Sequence, residues 1–195
     1  MKQDLLIELL TEELPPKALG KLSDAFSNGV HDALVKLGLA AQDAKVHAYA
    51  TPRRLAVTVA DVVSQAADVQ KREKILPVKV GLDAEGNASA SLVKKLTAMG
   101  FADKTVADLE IDNETFFITY TQKGAVLHEV LEKLLTDVAA KLPIPKVMTY
   151  QIHAGTTAEQ DVSFVRPVKR VLALFGADVL PLTVFGVPAD RVTDG

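Results

Sequence analysis

Thr51-Pro52-Arg53-Arg54-Leu55-Ala56-Val57-Thr58-Val59-Ala60 reads as a turn feeding a strand, a proline and two arginines leading directly into an apolar alternation of period two. Leu55, Val57 and Val59 share one face, so Arg54, Ala56, Thr58 and Ala60 occupy the other. Pro52 biases Thr51 to extended backbone, and residues 45–50 form a second extended run ahead of it. The simplest arrangement is an antiparallel pair around the Thr-Pro-Arg-Arg junction. Arg53 and Arg54 are then expected where a sheet edge meets solvent. Planar, permanently charged guanidiniums there suit a carboxylate or phosphate, and equally a salt bridge to a neighbouring domain.

Upstream, residues 4–10 are a mostly apolar run bounded by acids, which predicts a buried strand. Thr11-Glu12-Glu13-Leu14-Pro15-Pro16 ends it. Tandem prolines suit the first turn of a helix, and Glu12 and Glu13 place negative charge near the positive end of its dipole. Ala18, Leu19, Leu22, Ala25, Phe26, Val30, Ala33, Leu34 and Leu37 form one stripe at helical spacing, closed by Gly38.

Downstream, the polar stretch 64–74 has no sustained periodicity and is expected to be a linker or crossover, with a strand over 75–82 and a turn at Asp83-Ala84-Glu85-Gly86-Asn87. Ser89 can cap a short helix that buries Leu92, Val93, Leu96 and Met99 and stops at Gly100. Residues 115–121 are β-branched and aromatic, hence a strand. Gly124 opens a helix whose apolar face runs Leu127, Val130, Leu131, Leu134, Leu135, Val138 and Leu142, terminated by Pro143 and Pro145. A strand over 147–152 and a polar loop over 153–161 follow. Pro167 fits the first position of a helix through 168–175, and a last strand over 179–185 precedes Gly186. Hairpins set among helices argue for an α+β fold, mixed or antiparallel sheets with packed helices in two small subdomains, over a doubly wound parallel sheet. The expected organisation is an N-terminal α+β unit at 1–64, a second at 65–145, and a strand-helix-strand segment at 146–195 packing back on the first.

The 195 residues are 48% hydrophobic, ample for a core, and carry a formal net charge of -3. That balance excludes a domain whose whole surface is basic, so any RNA contact must come from local patches. There is no cysteine, which rules out disulfide and thiolate chemistry and fits a reducing compartment. Acids interrupt the first eight residues, leaving no signal-peptide core, and no apolar run approaches the roughly 20 residues that span a bilayer. A cytoplasmic protein without membrane contact is expected.

His31, His47, His128 and His153 are scattered without metal-ligand spacing, so no metal site is expected. Residues 83–87 lack the alternating oxygens and distal glutamate of a calcium loop. Dinucleotide, P-loop and Gly-x-Ser-x-Gly signatures do not occur. Glu12 and Glu13 are adjacent helix-start acids, better read as dipole partners than as a catalytic pair.

What remains is a second basic junction, Arg166-Pro167-Val168-Lys169-Arg170. Cations at a helix start oppose the dipole by up to about 1 kcal/mol each, and a bound phosphate would offset this through the free amides and the guanidinium. Alternatively, Arg166 pairs with Glu12 or Glu13, and Lys169 and Arg170 form a solvated face.

The ordered landmarks Leu5-Leu6-Ile7-Glu8, Glu12-Glu13-Leu14-Pro15, Thr51-Pro52-Arg53-Arg54-Leu55-Ala56-Val57 and Phe164-Val165-Arg166-Pro167-Val168 resemble the N-terminal part of the β subunit of bacterial heterotetrameric glycyl-tRNA synthetase. Supporting likenesses are the 83–87 turn followed by Gly100-Phe101, and Pro145-Lys146-Val147-Met148, similar to a Pro-Lys-x-Met element of that family. The family continues past Thr193-Asp194-Gly195 into Gly-His-Arg-Phe, which implies a chain truncated relative to the full subunit. The resemblance implies a partner α subunit that binds glycine and ATP with magnesium and forms the adenylate. The β subunit handles tRNA(Gly) and assembly in an α2β2 enzyme. It implies no catalytic residue and no cofactor in this stretch, which alone is expected to be inactive. Arg53, Arg54, Arg166, Lys169 and Arg170 are the candidates for tRNA contact or for a subunit or domain interface, the alternative being a scaffold without direct tRNA contact.

Overall fold

A computed structural model describes residues 1–143, 148–152, 156–157, 160–164 and 166–194. The chain first forms β1 (Lys2–Thr11), a 3-10 turn (Pro16–Ala18), α1 (Leu19–Lys36), β2 (Val46–Thr51) and β3 (Arg54–Val63). Next come β4 (Val69–Pro77), α2 (Val78–Gly81), α3 (Ala90–Ala98), β5 (Glu110–Asp112) and β6 (Thr115–Gln122). The remainder is α4 (Leu127–Ala140), β7 (Met148–Ile152), β8 (Gln160–Phe164), β9 (Val168–Phe175), β10 (Asp178–Val179), β11 (Thr183–Val184) and β12 (Val187–Asp190). The architecture is α+β, as the hairpin at Thr51–Arg54 predicts. The chain divides into one unit of Met1–Ala67 with Gly124–Gly195 and a second of Asp68–Lys123.

The larger unit is a sheet in the order β11-β12-β9-β1-β3-β2, with β10 also pairing β9. Its central strand β1 is antiparallel to both neighbours, and β12 alone runs parallel to β9. Alternation sends Leu5, Ile7 and Leu9 to one face, where Leu55, Val57, Val59, Val171, Ala173 and Phe175 join them in the core. The stripe on α1 meets that face through Leu22, Phe26, Val30 and Leu34, each worth about 1.5–3 kcal/mol when fully buried. Gly38, at φ +74°, ends the helix in the left-handed conformation its position requires. The α-helix begins only at Leu19, after the 3-10 turn, so Glu12 and Glu13 stand outside its first turn and do not serve its dipole.

The helix α4 adds Leu127, Leu131, Leu134, Leu135 and Val138 to this core and packs on α1, so it belongs with the first unit although the sequence groups it with 65–145. It starts at Leu127, later than Gly124. Gly124 instead lies where the chain leaving the unit and the chain returning to it run side by side: Ala66 N–H donates to Ala125 O at 2.9 Å and Leu127 N–H to Ser64 O at 2.9 Å. A Cβ on Gly124 would stand 1.8 Å from Ala66 O, so no side chain fits there.

Several expectations are overturned. Residues 168–175 are strand β9, because the apolar run Val171-Leu172-Ala173-Leu174-Phe175 pairs with β1 along its length; Pro167 precedes a strand, and no helix N-terminus exists there to bind phosphate. The polar stretch 64–74 contains most of β4, whose partner β6 supplies the buried face. Past Pro77 the expected strand over 75–82 becomes the short helix α2. Of the polar loop expected at 153–161, residues 160 and 161 belong to β8, which pairs with β7, and 153–155 and 158–159 lie outside the described residues; the last strand expected over 179–185 is two short pieces, β10 and β11. Of Pro145-Lys146-Val147-Met148 only Met148 lies within the described residues.

The smaller unit is the three-stranded sheet β4-β6-β5, whose core of Ile75, Leu92, Leu96, Phe116 and Ile118 is closed by α3. Ser89 caps α3 by accepting from Leu92 N–H at 3.2 Å, and Asp83 ties the 83–87 turn by accepting from Asn87 N–H at 2.8 Å. Val93 is exposed, a correction to the expected buried set.

Candidate functional site

The face of the larger sheet opposite the helices carries the charge. Leu10 of β1 pairs with Arg54 of β3 on one side and with Arg170 of β9 on the other, so alternation places both guanidiniums on this face. One row further along β1, Glu8 sits between Ala56 and Leu172. The two basic junctions of the sequence are therefore neighbours in space, at the end of an inner strand; β2 is the edge. Backbone bonds fix both: Thr11 N–H donates to Arg53 O at 2.9 Å, Leu14 N–H to Pro52 O at 2.6 Å and Glu12 N–H to Pro167 O at 3.1 Å. The register slips between Leu10 and Thr11, leaving Lys169 as an extra residue on β9 that turns outward.

Most of the predicted cations find partners within the chain. Arg54 Nε lies 3.6 Å from Glu8 Oε1, and Arg54 Nη2 donates to the backbone carbonyl of Asp194. Arg170 Nε lies 3.3 Å from Asp194 Oδ2, and Lys169 Nζ 3.6 Å from Glu12 Oε1. Arg166 donates to the backbone carbonyl of Glu13 at 3.1 Å and contacts Met148 Sδ at 3.4 Å. Arg53 is exposed and makes no ion pair among the described residues. It borders a shallow cleft with Thr11, Glu13, Thr51, Arg54 and Lys169.

The sequence did not point to Glu8, Thr193 or Asp194. Glu8 is 7% exposed and accepts from the Thr193 hydroxyl as well as facing Arg54. An acid inside an apolar strand, on the face that the partner strand fills with arginine, is a signal that only the pairing makes readable. Residues 191–194 leave β12 and cross this face from β9 over β1 to β3, which is how Asp194 reaches two arginines. Beside the second junction, the Tyr150 hydroxyl accepts from Val168 N–H at 3.1 Å; burial raises its phenol above the usual value, against the opposing effect of that bond.

The smaller unit has a charged cluster of its own. Arg72 Nε donates to Glu110 at 3.0 Å, its Nη2 lies 3.3 Å from Asp112, and the guanidinium stacks 4.3 Å from the Phe117 ring centroid. A bond from the Thr119 hydroxyl and then Arg72 hold the Glu110 carboxyl below its usual range. Among the described residues no group of three or more acidic or histidine side chains could hold a metal ion, and no helix is long and apolar enough to cross a membrane.

Comparison with known proteins matches residues 5–195 to the family described as glycyl-tRNA synthetase beta subunit. Relatives named glycine–tRNA ligase beta subunit include that of Dechloromonas aromatica, 47% identical over 99% of this chain, and that of Paracidovorax citrulli, 47% identical over 98%. That of Leptothrix cholodnii is 46% identical over 98%. The chain spans about 28% of the length of the first two relatives and 27% of the third.

Proposed function

The chain belongs to the glycyl-tRNA synthetase beta subunit family, and on that premise we propose that it supports recognition of tRNA(Gly) and assembly with a separate α subunit into an α2β2 ligase in the cytoplasm. In this reading ATP, magnesium and glycine bind the α subunit, which forms the adenylate, and the present residues hold neither cofactor nor catalytic group. The observation that carries the tRNA part is Arg53: an exposed guanidinium, without an ion pair among the described residues, on a turn whose backbone is fixed by a bond to β1, and sharing a cleft with Lys169. A rigidly presented, unneutralised cation suits a phosphate.

The pairs Arg54–Glu8, Arg170–Asp194 and Lys169–Glu12 favour a second reading, a scaffold in which these charges hold the subunit's own segments together without touching tRNA. Arg53→Ala, introduced into the assembled two-subunit enzyme, separates the two. Under the first reading KM for tRNA rises several-fold while KM for glycine and ATP stays unchanged. Under the second KM for tRNA is unchanged, and any loss is in thermal stability or in association with the α subunit.

A further inference from the structure

Arg54 and Arg170 flank Leu10 on the same sheet face, two strand spacings or roughly 10 Å apart at their Cα atoms. Both reach over the gap to one residue: Arg54 to the carbonyl of Asp194, Arg170 to its carboxylate. We propose that this pair is an RNA phosphate clamp whose internal occupant is Asp194, so that residues 191–194 form a displaceable strap across the site. The inference rests on the tRNA-contact reading above.

The Asp194 carboxylate on Arg170 and its backbone carbonyl on Arg54 present oxygens to the two guanidiniums where a phosphate would present its own, so Asp194 marks the anion position. Among the described residues the strap adds no strand pairing after Asp190, and it meets other segments through the Thr193 hydroxyl on Glu8, the two arginine contacts of Asp194 and an Arg191 bond to Ala177 O at 3.3 Å. The Arg170 and Asp194 side chains are 44% and 58% exposed, so solvent already competes for that pair. Arg53 and Lys169 extend the cationic ground beyond the fork, which suits a chain of phosphates better than an isolated carboxylate; Glu13, on the same cleft, is the group such a chain must skirt. Displacement leaves Glu8 facing Arg54, so the strand carboxylate stays partnered when the strap departs.

The test uses the 195-residue chain and a fluorescent oligouridylate of about ten nucleotides, titrated at several salt concentrations. Asp194→Asn is expected to tighten binding by roughly threefold or more and to steepen the salt dependence of log K by about 0.7, one extra phosphate contact on a single strand. The control Asp32→Asn removes a still more exposed acid from α1 and is expected to leave both unchanged. Hydrogen exchange at the amides of 192–194 should accelerate when RNA is added. Equal effects of Asp194→Asn and Asp32→Asn, or no change in exchange, overturn the strap. If Arg53→Ala still lowers the salt slope in that case, the tRNA reading survives without it; if Arg53→Ala and Arg170→Ala both leave the slope unchanged, that reading itself falls. Inorganic phosphate should compete for the site, and competition by an oligoglutamate peptide but not by phosphate would overturn the phosphate assignment.

Discussion

Replacing Arg54 by methionine keeps the aliphatic stem of the side chain and removes its charge from beside Glu8. At 3.6 Å and an effective dielectric of about 20, the gross attraction is about 4–5 kcal/mol, most of it offset by desolvation of the two groups. Breaking a fully buried pair costs about 3–5 kcal/mol, and an exposed pair at most about 1. With side-chain exposures of 28% for Arg54 and 10% for Glu8, the expected loss lies between, about 2 kcal/mol, because the carboxylate keeps only the Thr193 hydroxyl. Urea unfolding followed on the larger unit should show it as a midpoint lower by about 1 M for a slope near 2 kcal/mol/M. Glu8→Gln alone should cost less, about 1 kcal/mol, since Gln can still accept from Thr193. The double variant should cost less than the two together, with a coupling of about 1 kcal/mol. Additive losses, or a loss from Arg54→Met below about 0.5 kcal/mol, would refute the view that this pair fastens β3 to β1.

Gly124→Ala is expected to destabilise the larger unit by about 3 kcal/mol or more, because the new methyl collides with the Ala66 carbonyl; calorimetry checks it, and a neutral result would mean that the two crossing strands are spaced differently. Tyr150→Phe removes the acceptor for Val168 N–H and should cost about 1–2 kcal/mol in chemical denaturation, while a substitution within about 0.3 kcal/mol of neutral would show that another acceptor serves that amide. In the smaller unit the depressed Glu110 carboxyl contributes stability that is fully present above its unfolded value of about 4.3 and is lost as pH falls through the lower folded value. Acid titration followed by amide exchange in β5 and β6 should show that loss. Thr119→Val, which deletes the largest cause of the depression, should flatten it; an unchanged acid limb would contradict the assignment.

Much of this fold was legible because it is encoded locally. The period-two run at Leu55-Ala56-Val57-Thr58-Val59 and the stripe from Leu22 to Leu34 need no partner to be read, and each lies where the spacing places it. The failures share a cause. Val171-Leu172-Ala173-Leu174-Phe175 is a short continuous apolar run, which periodicity cannot assign to helix or strand, and what decides it is β1, more than 150 residues earlier in the chain. Residues 69–74 are all exposed and look like a linker, yet they are held as strand by the backbone of β6 and by Arg72 bonding to β5. The site follows the same rule. Both arginine junctions stood out as charge against apolar surroundings, but their adjacency depends on the pairing of Leu10 with Arg54 and Arg170. Asp194 carries no local signal, since nothing in Thr193-Asp194 reports that β12 runs parallel to β9 and delivers it across the sheet.

The central claim is that the turn carrying Arg53, which makes no ion pair among the described residues, presents its cation to tRNA while its neighbours are held by the chain's own acids. The most direct measurement is the dependence of tRNA(Gly) affinity on salt for the unaltered chain and for Arg53→Ala. Loss of one phosphate contact should weaken binding and reduce the slope of log K against log salt by about 0.7–0.9. An unchanged affinity with an unchanged slope would contradict the claim and leave this face of the sheet as an internal ionic clasp.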